Sequence, residues 1–166
     1  MSTNSPAPDC GADDRAVVTI RPYAEADQPF LRRVASRLYP GDVAAARDPE
    51  QFHAYFERLA AGAVALDGDR FVAVDAADRP LGLIAVGPDR DYFTDHPRAY
   101  VHILVVDDAV EGRGVGRALM RRAEDWARQP GMKEVVLDVF AGNHDAIAFY
   151  ERCGYAVDHL RMAKPV

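Results

Sequence analysis

The sequence predicts an α/β domain: a mixed, largely antiparallel twisted sheet with helices on both faces. Three observations predict it. Short β-branched runs alternate with stretches whose apolar residues recur at helical spacing, in the order β-α-α-β-β-β-α-β-α-β. The middle strands are joined too tightly to be parallel, whereas the later ones alternate with helices, as in βαβ units. Finally, 166 residues with 49% hydrophobic and 28% charged side chains have the composition of one soluble globular domain. A chain of that length buries roughly 70% of the surface its unfolded form exposes.

Residues 1–16, rich in Ser, Pro, Asp and Ala, read as a flexible tail, and the folded domain is expected over 17–166. Val17-Val18-Thr19-Ile20 is a β-branched strand ended by Pro22. Phe30, Leu31, Val34 and Leu38 share a helical face, which places a helix over Glu25–Leu38, broken by Tyr39-Pro40-Gly41. Asp48-Pro49-Glu50-Gln51 is a helix start: Asp48 accepts from open N–H groups, Pro49 suits the first helical position, and Gln51 completes a capping box. Phe52, Tyr55, Phe56 and Leu59 then line one face, and Gly62 follows.

From there the period changes. Phe71–Val74 and Leu81–Val86 read as an antiparallel hairpin, followed by a polar, aromatic loop from Gly87 to Arg98 and a strand from Tyr100 to Val106. Gly112 to Gly116 is a glycine-rich turn. Val115, Leu119, Ala123, Trp126 and Ala127 form the apolar stripe of the helix that ends before Pro130-Gly131. Val135–Val139 is a strand. Asn143 caps a helix that reaches Cys153, with Gly154 beyond its end. Tyr155 to Lys164 is expected to be extended, as one strand or a tight hairpin.

Twenty basic residues against 26 acidic ones leave a net charge of −6. A nucleic-acid partner is not expected at that balance. No apolar run reaches the roughly 18 residues of a transmembrane helix, so no membrane partner is expected either. Met1–Ala16 lacks the apolar core of a secretory signal. Cys10 and Cys153, the only cysteines, form no disulfide framework and have no metal-ligand spacing around them. The expectation is a reduced, cytoplasmic protein without a metal, and base rates put forward a homodimer as its assembly.

Glu111-Gly112-Arg113-Gly114-Val115-Gly116-Arg117 lies between a strand and a helix. Alternate glycines let N–H groups converge at a helix N-terminus, where the dipole favours phosphate. A Walker loop is excluded, because Gly116-Arg117-Ala118 lacks Gly-Lys-Ser/Thr. A dinucleotide fingerprint is excluded, because Arg117 stands where its last glycine belongs. A bare tight turn is the other reading of the glycines. Arg113, Arg117, Arg121 and Arg122 count against it, since cations at that helix end oppose the dipole unless an anion binds there. A solvated basic helix face is the alternative for those arginines.

At these residues the chain resembles the GNAT superfamily of acetyl-CoA-dependent N-acetyltransferases. The family's loop, Gln/Arg-x-x-Gly-x-Gly/Ala, is matched from Glu111 to Gly116, with Glu111 departing at the first position. Its second motif, Asn-x-x-Ala-x-x-Phe-Tyr-x-x-x-Gly-Tyr/Phe, is present as Asn143, Ala146, Phe149, Tyr150, Gly154 and Tyr155. The resemblance spans about Val17 to Lys164 and implies a GNAT-like sheet with a splayed fourth strand, here Ile103-Leu104-Val105-Val106.

The resemblance also implies roles. Leu104 and Val106 offer backbone groups to the pantetheine of acetyl-CoA, the co-substrate. The N–H groups of Gly112, Arg113, Gly114, Val115, Gly116 and Arg117 hold the pyrophosphate, and Asn143 bonds the pantetheine arm. An amine attacks the thioester directly, and an N–H near Val105 or Val106 stabilises the oxyanion. Tyr150, near the sulfur, is the acid for the leaving thiolate: a phenol with a pKa near 10 is protonated at neutral pH. The other reading of Tyr150 is a core tyrosine beside Phe149.

The family often carries an acidic base on the fourth strand, and the matching position is His102. An imidazole with a pKa near 6.5 can take the acceptor's proton, or it is a strand histidine without a role. His96, Asp91 and Asp95 are further candidates. Glu111 sets a carboxylate beside the phosphates and lowers the expected affinity for CoA. Cys153 and Trp126 read as core residues. Asp89, Asp91 and Asp95, with Tyr92 and Phe93 among them, suggest a small cationic amine as acceptor, such as an aminoglycoside, a polyamine or a basic amino acid. The alternative function is a catalytically silent acyl-CoA-binding sensor.

Overall fold

The computed structural model describes residues 18–38, 48–61 and 66–164. The expected tail, Cys10, Val17, the Tyr39-Pro40-Gly41 break and Gly62 lie outside the described residues. So does the side chain of Phe52.

Five strands form one sheet in the order β1-β2-β3-β4-β5: β1 Thr19–Pro22, β2 Asp69–Val74, β3 Pro80–Arg90, β4 Pro97–Val106 and β5 Val135–Leu137. Only the β4–β5 pair is parallel, and the connection between those two strands carries a helix, as parallel pairing requires. The helices are α1 Gln28–Val34, α2 Pro49–Ala60, α3 Val115–Arg128 and α4 His144–Arg152. The expected helix over Glu25–Leu38 is α1 with a 3₁₀ turn at each end. Asp48 caps α2 as its sequence requires, accepting from the Glu50 and Gln51 N–H groups at 2.9 and 3.4 Å.

One core layer joins Phe30, Leu31, Val34, Ala35 and Leu59 to Val72, Val74, Leu83, Ala85, Ile103 and Val105. The other joins Val115, Leu119, Met120, Ala123 and Ala127 of α3 to Phe71, Ala73, Ile84, Val86, Ala99 and Val101. Alternate residues of β2 and β3 therefore face opposite layers, the period-2 geometry of a strand covered on both sides. Trp126 is half-buried on α3 and donates to the Asp69 carboxylate at 2.7 Å.

Two expectations need correction. The hairpin joining β3 and β4 is longer than its apolar run, because ladder pairing continues through Gly87–Arg90 and Pro97–Ala99. Polar side chains concealed this part of the ladder from the hydrophobic pattern. Arg98 pairs across it with Asp89 at 2.7 Å, and only residues 91–96 form the tip. Tyr155 to Lys164 joins no strand. Val157, Leu160 and Met162 are 66%, 77% and 94% exposed. Asp158-His159 interrupts their alternation, and β5, only three residues long, offers them a short edge.

Asp27 ties β1 to α1. It is buried, accepts from both terminal nitrogens of Arg21 at 2.8 and 2.9 Å, and accepts from the Ala24 N–H at 2.9 Å. Hydrogen bonds from Arg21 hold its carboxyl below the usual 3.8, against the opposing effect of burial. We expect Asp27→Asn to lower unfolding free energy at pH 7 by about 2 kcal/mol, because buried partners are left mismatched. A depressed folded-state pKa stabilises above the unfolded value and loses that contribution as pH falls below 3.8. Denaturant melts from pH 7 down to pH 2 will show a shallower acid decline in the variant.

Candidate active site

The site begins with one extra residue in β4. Ala85 of β3 lies opposite Ile103, but Val86 lies opposite Val101, so His102 is a bulge. The bulge reverses the strand's phase: Ala99 and Val101 face the α3 layer, while Ile103 and Val105 face the α1–α2 layer. It also marks where the sheet divides. β5 pairs with β4 only at Ala99, Tyr100 and Val101. Beyond that point β4 continues alone on this side as far as Val106.

Antiparallel pairing alternates the direction of backbone groups. The Asp107 N–H donates to the Leu81 carbonyl at 2.9 Å, which places Val105 and Ile103 in the bonded pairs with β3. The backbone groups of Leu104 and Val106 therefore face the open edge. Those of Val105, expected to take part in cofactor or oxyanion binding, face β3 instead. A cleft of about 1100 Å³ occupies the opening, lined by Val101–Val106 on one side and Leu137–Phe140 on the other.

The glycine loop closes one end of this cleft. Gly114 precedes α3 with φ 83°, a left-handed backbone that favours glycine. The first bond inside the helix is Ala118 N–H to Gly114 carbonyl, 3.0 Å. The N–H groups of Val115, Gly116 and Arg117 come before it and point out of the helix end. At Gly116 a Cβ would sit 3.1 Å from Cζ of Phe149, tighter than ordinary contact, so α3 and α4 approach closely at this residue.

The arginines divide. Arg117 and Arg121 line the cleft. Arg113 is exposed and outside the lining, and its N–H already donates to the Val110 carbonyl at 3.3 Å. Arg122 lies over the Phe71 ring at 3.9 Å, away from the loop. Of the six residues whose N–H groups were expected at the pyrophosphate, Arg113 has its N–H turned to the Val110 carbonyl, while Val115 keeps its N–H at the open helix end with its side chain buried in the α3 layer.

His102, Asn143 and Tyr150 line the same cleft. Asn143 spends its carbonyl oxygen on the α4 N-terminus, accepting from the Ala146 N–H at 3.2 Å. Tyr150 makes edge contacts with Phe149 and Tyr155, centroids 5.2 and 6.1 Å apart, and burial pushes its phenol up to about 12. His102 stacks edge-on with Tyr100 at 5.0 Å, and its buried Nε2 lacks a hydrogen bond of good geometry. Burial holds the imidazole below its usual 6.5, outweighing the Asp67 carbonyl and the carboxylates of Asp67 and Asp89. At neutral pH the site thus holds an uncharged imidazole and a protonated phenol.

The acids expected to attract an acceptor are already occupied. Asp89 and Asp91 pair with Arg98 at 2.7 and 2.9 Å, and Asp95 pairs with Arg90 at 2.6 Å. None of these acids lines the cleft, nor does His96. Tyr92 and Phe93 stand at the hairpin tip, 88% and 77% exposed. Cys153 is half-buried at the end of α4. Among the described residues no cluster of three or more His, Cys, Asp or Glu could hold a metal ion. No described helix is long and apolar enough to cross a membrane.

Among the lining residues that the sequence reading did not single out are Arg37 and Asp138. Arg37 had a faint signal, four residues after Arg33 on one helical face. Asp138 follows the C-terminal end of a parallel strand, where ligand sites of open sheets gather. It accepts from the Tyr100 hydroxyl at 3.1 Å, and among the described residues no cation pairs with it.

The chain and its fold match known proteins. The Acetyltransferase (GNAT) family model matches residues 29–155, and the chain belongs to that family. It is 34% identical over 115 residues to glucosamine 6-phosphate N-acetyltransferase 1 of Oryza sativa subsp. japonica, covering 68% of this chain and 67% of that protein. Several other curated relatives are matched over about half their length or less. A Pyrococcus furiosus protein provisionally described as an acetyl transferase superposes with a TM-score of 0.73 at 27% identity, over 90% of this chain and 99% of that one. AAC(6')-Iy, solved with the bisubstrate analog CoA-S-monomethyl-acetylneamine, shares the fold with a TM-score of 0.65 at 18% identity, over 91% and 99% of the two chains.

Gly116→Val tests the α3–α4 contact. Overpacking of this kind costs about 1–3 kcal/mol. The melting temperature should fall, because Phe149 and the adjoining Tyr150 are displaced together.

Proposed function

We propose that the protein transfers the acetyl group of acetyl-CoA directly to a primary amine, and that the acceptor is a small cationic amine. The observation that carries the reading is the cleft itself. It sets the open edge of β4, the N–H groups at the start of α3 and the Tyr150 phenol around one continuous space. A pantetheine arm is an extended chain with amide groups, and Leu104 and Val106 present backbone donors and acceptors to such a chain, as in strand addition. The donors of Val115, Gly116 and Arg117, with the Arg117 and Arg121 side chains, suit the pyrophosphate. That AAC(6')-Iy was solved with a CoA-containing analog supports the same use of this fold.

His102 takes the ammonium proton of the acceptor, being neutral and buried beside the bulge. Tyr150 protonates the departing thiolate, its phenol keeping its proton at any assay pH. The cationic acceptor rests on Asp138 rather than on the hairpin acids. Its carboxylate lines the cleft near His102, is held by the Tyr100 hydroxyl, and is left for a charged ligand. Phe56 adds an aromatic face to the same cleft.

A thiol-release screen across amine classes tests the reaction; acetyl-CoA binding without CoA release from any amine would support the silent sensor instead. Tyr150→Phe should lower kcat about 10²–10⁴-fold with little change in acetyl-CoA binding. Because the His102 pKa lies below 6.5 and the base form is the neutral one, kcat/KM should fall as pH drops below that value. His102→Gln should be slower and should lose this acid limb. Asp138→Asn should raise KM for a polyamine about tenfold, the scale of one charged contact near a surface, and leave KM for acetyl-CoA in place.

A further inference from the structure

Glu111 stands at the loop position where the family pattern carries Gln or Arg, and it lines the cleft. An unscreened carboxylate there lies within a Debye length of a bound diphosphate and repels it. The structure supplies a countercharge from a distant element. Arg37, in the 3₁₀ turn Ala35–Leu38 after α1, pairs its guanidinium with the Glu111 carboxylate and lines the same cleft. One turn earlier, Arg33 pairs with Asp107 at 2.6 Å, so the helical segment is tied to both ends of the turn between β4 and the glycine loop.

Resting on the acetyl-CoA reading above, we propose that Arg37 neutralises Glu111 within the phosphate cradle, so that a loop bearing a carboxylate accepts the pyrophosphate of CoA. Arg37 is thus a positioning residue of the co-substrate site, supplied from outside the glycine loop. Its role in folding is small, since exposed ion pairs contribute little to stability, and the two side chains are 35% and 60% exposed. The consequence falls on the ligand. A guanidinium has five donors, and a carboxylate takes at most two of them, which leaves donors directed away from Glu111.

The test is a binding cycle on the full-length protein, with acetyl-CoA followed by calorimetry and S-acetyl-pantetheine, which carries no phosphate, followed by NMR titration. Arg37→Ala should raise the Kd for acetyl-CoA about tenfold through the exposed carboxylate, and added salt should narrow that deficit. The Kd for S-acetyl-pantetheine should not move. Adding Glu111→Gln to Arg37→Ala should bring acetyl-CoA binding back to within about threefold of the parent, since the pair acts as one unit. An unchanged Kd in Arg37→Ala, a double variant as weak as the single one, or equal weakening toward S-acetyl-pantetheine would each overturn the proposal. A parent that binds no acetyl-CoA would overturn the acetyl-CoA reading as well, which separates the two failures.

Discussion

The bulge at His102 is the constraint on which the rest of the site depends. A strand covered on both faces by apolar layers has no freedom in phase, because a slip of one residue turns every side chain to the wrong layer. β4 nevertheless changes phase once, between Val101 and Ile103, and both halves remain buried. The layers tolerate this because the extra residue is absorbed where β5 ends its pairing. The same residue swings the open backbone groups of Leu104 and Val106 toward the gap. A continuous β4–β5 ladder would satisfy more backbone groups and would leave no cleft.

The second constraint is the approach of α3 to α4. A glycine at 116 lets the Phe149 ring sit against the first turn of α3, and Phe149 and Tyr150 are adjacent on the same helix. The placement of the α3 N-terminus and that of the phenol are therefore one packing decision. The price of opening the sheet is a loosely covered far edge: α4 has no fully buried residue, and beyond the half-buried Tyr155 the described chain is exposed.

Charge in this protein is organised locally. Each acid of the β3–β4 hairpin is paired with an arginine of the same hairpin, Asp89 and Asp91 sharing Arg98. Two charges that face the cleft are Arg117 and the Asp138 carboxylate, which accepts from the Tyr100 hydroxyl. Net charge therefore says little about the ligand. The pairing pattern says which charges face outward to solvent and which face the space between β4 and β5.

Local signals in the sequence determined most of the fold. Helical spacing, the Asp48 and Asn143 caps and the glycines at helix ends act within a few residues, so α2, α3 and α4 were legible with nearly their observed ends. The glycine loop and the Asn143–Tyr155 motif were legible for the same reason, since each lies in a single run of chain. What only the tertiary structure decided came from contacts between distant segments. The pairing of the hairpin acids, the buried and neutral state of His102, and the edge that Val105 faces depend on register, which polar strands do not reveal. The Arg37–Glu111 contact joins residues 74 positions apart. No local pattern records it, because the fold alone brings that turn over the glycine loop.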